Sequence, residues 1–153
     1  MTPARFGRRY IAFLLDIFAL EILGLLATAP LINQTDQDLA KVLIRWFATG
    51  MITTEGAWLV GLYGLLQFLL WSLYFIGFTG ACGQTPGKKI LGLQVVHING
   101  TPIGWESACI RFWIGYPVSL LPLGLGFYWA LVDKNNQAWH DKIAGTWVIR
   151  PGS

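Results

Sequence analysis

The sequence predicts an all-α integral membrane bundle with two full spans, a third hydrophobic region shaped as a broken helical hairpin, and a small cytoplasmic β element. Three observations predict it. Residues 10–32 and 57–79 are apolar runs, each long enough as helix to cross ~30 Å of hydrocarbon at ~1.5 Å per residue. Hydrophobic residues make up 54% of the 153 residues and charged residues only 12%, against about 25% charged in soluble domains. So few polar side chains cannot cover a surface in water, and lipid must be part of the solvent. Beyond the second run, Gly, Pro and Asn-Gly breakers frame short β-branched segments of a different periodicity.

The first run follows a short basic segment holding Arg5, Arg8 and Arg9. It carries Asp16 and Glu21 and no small-residue cleavage site, so it reads as a retained helix rather than a signal peptide. Pro30 falls where that helix should be leaving lipid. Residues 33–38 form a polar turn. Residues 39–49 (LAKVLIRWFAT) place apolar side chains at helical spacing with Lys41 and Arg45 four apart on one face, the pattern of a short amphipathic helix lying at the interface. Residues 57–79 form the strongest span, with no charge and Gln67 as the strongly polar group. Gly56, Gly61 and Gly64 suit close helix packing on one side.

Gly80, Gly83, Pro86 and Gly87 end helical structure, and Lys88 and Lys89 follow. Residues 91–98 have a strand pattern closed by the Asn99-Gly100 turn, and residues 145–150 are a second strand candidate. The two are expected to pair in a small antiparallel or mixed sheet. Residues 108–132 admit two readings. One continuous span would separate the strand candidates and put Lys134, Lys142 and Arg150 opposite Lys88 and Lys89. Pro117, Pro122, Gly124 and Gly126 interrupt the middle, leaving two halves of ~18 Å as helix. A hairpin that enters and leaves on one side accommodates breakers and charges together, and is favoured. Broken backbone at that depth must be satisfied by protein or water.

The net charge of +3 is concentrated beside the hydrophobic segments. It is a topology signal that puts the N-terminus in the cytoplasm, rather than a nucleic-acid footprint. Eight Trp and five Tyr suit the headgroup boundary. Cys82 and Cys109 read as small buried or interfacial hydrophobes, since no metal-ligand spacing or disulfide pattern surrounds them.

Among chemistry-bearing residues, Arg9 and Asp16 stand out. Seven apart, they share a face of the first helix with an axial gap of ~10.5 Å. A direct pair is stretched, so a third group or water is expected between them. An intramembrane carboxylate costs on the order of 2.5–3.5 kcal/mol and faces protein or a wet cavity. It is either half of a structural ion pair or a cation or proton site. Glu21 points to another face near mid-membrane, with Gln67 and Ser72 as possible partners. His140-Asp141 suits either a proton relay or, with neighbouring side chains pointing apart, a plain polar cap. Arg111 either snorkels or pairs with an acid of the first helix, Glu106 being a nearby alternative. The Gly83–Lys89 segment fails the phosphate-loop pattern, which needs Gly at position 82 and Ser or Thr at 89, where the chain has Cys82 and Lys89. No arrangement of hydrolytic or nucleophilic residues stands out; the chain reads as a non-enzyme without cofactor or metal.

Four blocks carry a family resemblance: RRYIAFLLD at 8–16, TPGKKILGLQV at 85–95, Arg111, and HDKIAGTWV at 140–148. In this order they resemble the RDD family of bacterial membrane proteins, over almost the whole chain. The one Arg and two Asp of the family name correspond here to Arg9, Asp16 and Asp141. The resemblance implies a single RDD-type transmembrane domain over 1–153 in the bacterial inner membrane. It also implies sodium/proton exchange, attributed to some members, or a role as a membrane subunit. On the topology above, Arg9, Asp16 and Asp141 are expected to meet near the cytoplasmic boundary, in a charge cluster whose further candidates are Arg111, His140 and Glu21. The first functional expectation is a cation/proton transporter. It must be a homo-oligomer, because one copy has too few spans and no internal repeat for alternating access. The alternative is a non-catalytic accessory or scaffold subunit bound to a membrane protein partner. A lipid-handling role is the third.

Overall fold

The computed structural model describes residues 2–32 and 39–151; the polar turn expected at 33–38 lies outside them. The chain divides into two compact units, Ala19–Trp71 and the remainder, Met1–Phe18 with Ser72–Ser153. The long helices α1 (Phe6–Ile32) and α3 (Thr54–Cys82) contribute to both. Each supplies an apolar stretch of membrane length, Phe6–Ala29 and Thr54–Cys82. Leucine-rich sequence without proline up to Ala29 of α1 and throughout α3 lets the i→i−4 ladder run unbroken there. Phe18, Leu25, Leu26, Trp58 and Leu73 are exposed along these helices, as side chains meeting acyl tails must be.

In the Ala19–Trp71 unit, α2 (Leu39–Thr49) is the expected amphipathic helix. It ends at Gly50, whose φ of 70° supplies the left-handed residue of a helix C-terminus. A Cβ on Gly56 would stand 2.8 Å from Val42. Gly61 and Gly64 have open space where a Cβ would go, so the glycine stripe expected to pack on one side does so only at Gly56 among the described residues. Gln67 donates to Glu21 at 3.4 Å and to the Tyr63 hydroxyl at 3.2 Å.

The other unit is built on a three-stranded antiparallel sheet, β1 (Thr2–Pro3), β2 (Gln94–His97) and β3 (Thr146–Arg150), in the order β1-β3-β2. The two expected strands pair with Val95 opposite Val148. β1 was not expected: two residues, one a proline, carry no periodic signal, and only tertiary pairing of Thr2 with Arg150 defines it. Ala4, Ala12, Leu93, Val95, Ile103 and Val148 form the buried core beneath the sheet. Phe75 of α3 gathers the aromatic rings, with Phe13 at 6.2 Å, Phe112 at 5.7 Å and Tyr116 at 5.8 Å between centroids.

Between β2 and β3 lies the third hydrophobic region. Trp105–Leu120 and Leu125–Leu131 are two helical arms bent by 106°. The first arm runs through α5 (Trp105–Cys109), a π-helical turn (Ile110–Gly115) and α6 (Tyr116–Leu120). Pro117 has no N–H for the helix ladder, and the ladder widens to π spacing just ahead of it. The second arm holds α7 (Leu125–Tyr128) and a 3₁₀ turn (Trp129–Leu131). Leu123 and Gly124 turn the corner in left-handed conformation, at φ 52° and 78°. The arms meet at Gly126, where a Cβ would lie 2.5 Å from the Ser119 Cα. Leu121 and Leu123 project from the tip, Leu123 at 95% exposure.

Strands that flank this bent pair in sequence are hydrogen-bonded to each other. They therefore share one side of a bilayer, and the pair must enter and leave on that side, as the hairpin reading required. Single cysteines at Lys89 and Lys134, placed in a background with Cys82 and Cys109 changed to Ser, should both react with an impermeant maleimide from the same face of sealed vesicles. Labelling from opposite faces would show a third full crossing instead.

Candidate functional site

The buried charges of the sheet-bearing unit form two sets. The first centres on Asp141, which is fully buried in α8 (Trp139–Ile143). One of its oxygens accepts from Arg9 of α1 and from the Ala138 N–H at 2.9 Å. The other lies 2.7 Å from a guanidinium nitrogen of Arg111, in the π turn, and 3.4 Å from His140 Nε2. Arg111 also donates to Thr146 of β3 at 2.7 Å. Arg9 also donates to the Asn136 carbonyl. That carbonyl is aimed by a tight loop in which Asp133 accepts from the Asn135 and Gln137 N–H groups, both at 3.0 Å, and pairs with Lys142. One carboxylate thus ties together the start of α1, the π turn, α8 and the central strand.

Burial alone would raise the Asp141 carboxyl, but the Arg111 and Arg9 guanidiniums outweigh it and hold it well below the usual carboxylate range. His140 is buried between Tyr116 and Phe127, with ring centroids 4.9 and 5.1 Å away. Burial keeps its imidazole neutral, its pKa well below the ordinary value despite the attraction of Asp141. Gly115 makes the approach possible, since a Cβ there would stand 2.7 Å from that of His140.

The second set surrounds Asp16, also fully buried. Tyr74 of α3 donates to it at 2.7 Å, the Gly87 N–H at 2.7 Å, and the Thr85 hydroxyl to the second oxygen. Thr85 caps α4 (Pro86–Ile90) while donating to Asp16. The segment rejected as a phosphate loop is therefore an anion-holding loop whose anion is the protein's own aspartate. Lys88, next along, is buried with its ammonium 6.0 Å over the Phe75 ring. Burial, then repulsion from Arg111, lowers it to about 7, against the attraction of Asp16 and Asp141.

Three expectations need correcting. Arg9, Asp16 and Asp141 do not form one triad: Arg9 reaches Asp141, and Asp16 is held by neutral donors. The reason is the ~10.5 Å of helix between residues seven apart, into which Gly87 packs against the Ala12 carbonyl and Asp16. Arg111 pairs with Asp141 of α8 rather than with an acid of α1, and His140 and Asp141 turn toward each other although adjacent in sequence. Glu21 finds its partner in Gln67, while Ser72 accepts from Trp113 at 3.4 Å. Tyr74, Thr85, Gly87, Asn136 and Thr146 were not anticipated as partners. The Thr-Pro-Gly start of a helix was the one legible signal, a cap with spare hydrogen-bonding capacity.

These contacts set testable magnitudes. Asp141→Asn leaves the buried Arg111 and the partly buried Arg9 guanidiniums without their carboxylate and should cost about 3–5 kcal/mol. Asp16→Asn turns an amide N–H₂ toward hydrogen-bond donors and should cost about 1–3 kcal/mol. Thermal unfolding in detergent, followed by tryptophan fluorescence, should rank them in that order; equal midpoints would refute the separation into two sets. Lys88 gives a pH test. Below about 7 both folded and unfolded chains carry its proton, and the cost of burying the charge is fully present. Between that value and the unfolded 10.5, the unfolded chain binds more protons, so stability rises with pH. The midpoint should climb from pH 7 to 10, and Lys88→Met should flatten the climb; parallel profiles would refute a buried ammonium.

Residues 3–145 match the RDD family. The chain is 28% identical over 127 residues to the uncharacterized protein YckC of Bacillus subtilis (strain 168), covering 78% of each chain. It is 27% identical over 147 residues to the uncharacterized membrane protein YteJ of the same organism, covering 95% of this chain and 80% of that one. No solved structure matches. With the match running through Arg9, Asp16 and Asp141, and two membrane-length helices in the fold, the chain belongs to the RDD family and is a membrane protein.

Proposed function

We propose that this chain is a non-catalytic scaffold or accessory subunit of a bacterial inner-membrane complex, and that its two charge sets are structural locks. The observation that carries this reading is the closure of both carboxylates. Asp16 and Asp141 are each 0% exposed. Protein donors bond both oxygens of Asp16, and the Arg9 and Arg111 guanidiniums lie one against each oxygen of Asp141. An exchanger needs a carboxylate that a cation or proton can reach, and it alternates access through repeated elements. The locks instead hold the sheet, α8 and the bent pair against the first turns of α1. In this reading the N-terminus and the sheet face the cytoplasm, because Arg5, Arg8 and Lys89 lie on that side.

A second reading, cation/proton exchange by a homo-oligomer, draws on Lys88. Its ammonium titrates at about 7 in the field of Asp16, Asp141, Arg9 and Arg111, as a proton-exchanging group would. Flux in proteoliposomes separates the two. Under the scaffold reading, a pH gradient drives no sodium uptake beyond that of protein-free vesicles. Uptake that is lost in Asp16→Asn and Lys88→Met, with both variants still folded, would overturn it in favour of exchange.

A further inference from the structure

We propose that the groove beside the N-terminal strand is a binding site for the phosphate of an anionic phospholipid. The groove has a volume of about 370 Å³ and is bounded by β1, Leu93 and three arginines, Arg5, Arg8 and Arg150. Pairing of Thr2 with Arg150 in the sheet brings the last of these to the first two. No acidic residue is among the described residues that line the groove. Arg5 and Arg8 are exposed and form no ion pair among the described residues, whereas Arg9 is drawn inward by Asp141. The Arg5 and Arg8 guanidiniums, held at the rim of one concavity, repel each other unless an anion lies between them. Their planar forks match phosphate oxygens two at a time.

The surroundings identify the anion as a lipid's. Arg8 heads a stripe of α1 on which Ile11, Leu15 and Phe18 follow at i+3, i+7 and i+10, one helical face. Those side chains are 50%, 39% and 68% exposed, an apolar track on which acyl chains can lie directly below the phosphate. Phe6 stacks on Tyr10 at 6.0 Å and meets Tyr128 at 5.8 Å, an aromatic group at headgroup level. A soluble phosphate would use the arginines alone and leave the track uncovered. Basic pockets at the membrane boundary capture lipid headgroups by this combination of charge and depth.

The test uses the full chain, delipidated in detergent and titrated with phosphatidylglycerol or phosphatidylcholine, with bound lipid counted by native mass spectrometry. Phosphatidylglycerol should bind preferentially. Arg5→Gln with Arg8→Gln should weaken it at least about tenfold, Arg5→Lys with Arg8→Lys should retain part of it, and the exposed Lys134→Gln should change nothing. These arginines are surface residues, so an unchanged thermal midpoint will show that the variants fold. Undiminished phosphatidylglycerol binding by the double Gln variant would overturn the site. Inorganic phosphate or glycerol phosphate displacing the lipid at equal concentration would overturn its assignment to lipid.

Discussion

The Asp141 carboxylate shared between Arg9 and Arg111 is the constraint around which the sheet-bearing unit is arranged. An isolated charge cannot be buried without a large desolvation cost, and a carboxylate between two guanidiniums meets that cost only if its remaining hydrogen bonds are also made. Here the Ala138 N–H makes one of them, and the His140 imidazole lies 3.4 Å from the other oxygen. The arginines in turn bind Asn136 and Thr146. Arg9, Arg111 and Thr146 come from α1, the π turn and β3, so satisfying one buried anion in α8 dictates where four elements must be.

Asp16 shows a different solution to the same problem. Seven residues along one helical face, it lies too far up the axis to share Arg9. It is held by a tyrosine hydroxyl, a threonine hydroxyl and a backbone N–H. The small residues there are part of the arrangement: Ala12 and Gly87 let two backbones come close enough for the Gly87 N–H to reach the carboxylate. Lys88 then lies in the combined field of both sets, its charge weakened by burial. With both carboxylates closed, the accessible charge of this unit's N-terminal end is on Arg5 and Arg8. One step along α1 separates a guanidinium locked inside from one facing outward, because successive residues on a helix differ by ~100° in direction.

Much of the fold was legible. Two long apolar runs, a breaker-rich third region, an amphipathic segment at 39–49 and two β-branched segments follow from composition and periodicity, and each appears as an element of the expected kind. The hairpin reading of the third region rested on Pro117, Pro122 and Gly124, whose backbone restrictions are local and so readable from sequence. Less of the site was legible. Arg9, Asp16, Asp141, Arg111 and His140 were all identified as important, yet their pairing was not, because partners lie up to 132 positions apart and no periodicity connects them. β1 and the roles of Tyr74 and Thr85 were missed for the same reason.

The sequence by itself determined that this chain lives in a membrane, where its two membrane-length helices lie, where its helices break, and which charged groups are too costly to be incidental. Those properties depend on hydrophobicity and on local backbone preference, which each short window of sequence carries. Which charge meets which was decided by the tertiary structure alone. The sheet register and the 106° bend bring Asp141 to Arg9 and leave Asp16 to the Thr85–Gly87 loop, and an ion pair is a property of distance in space rather than of order along a chain.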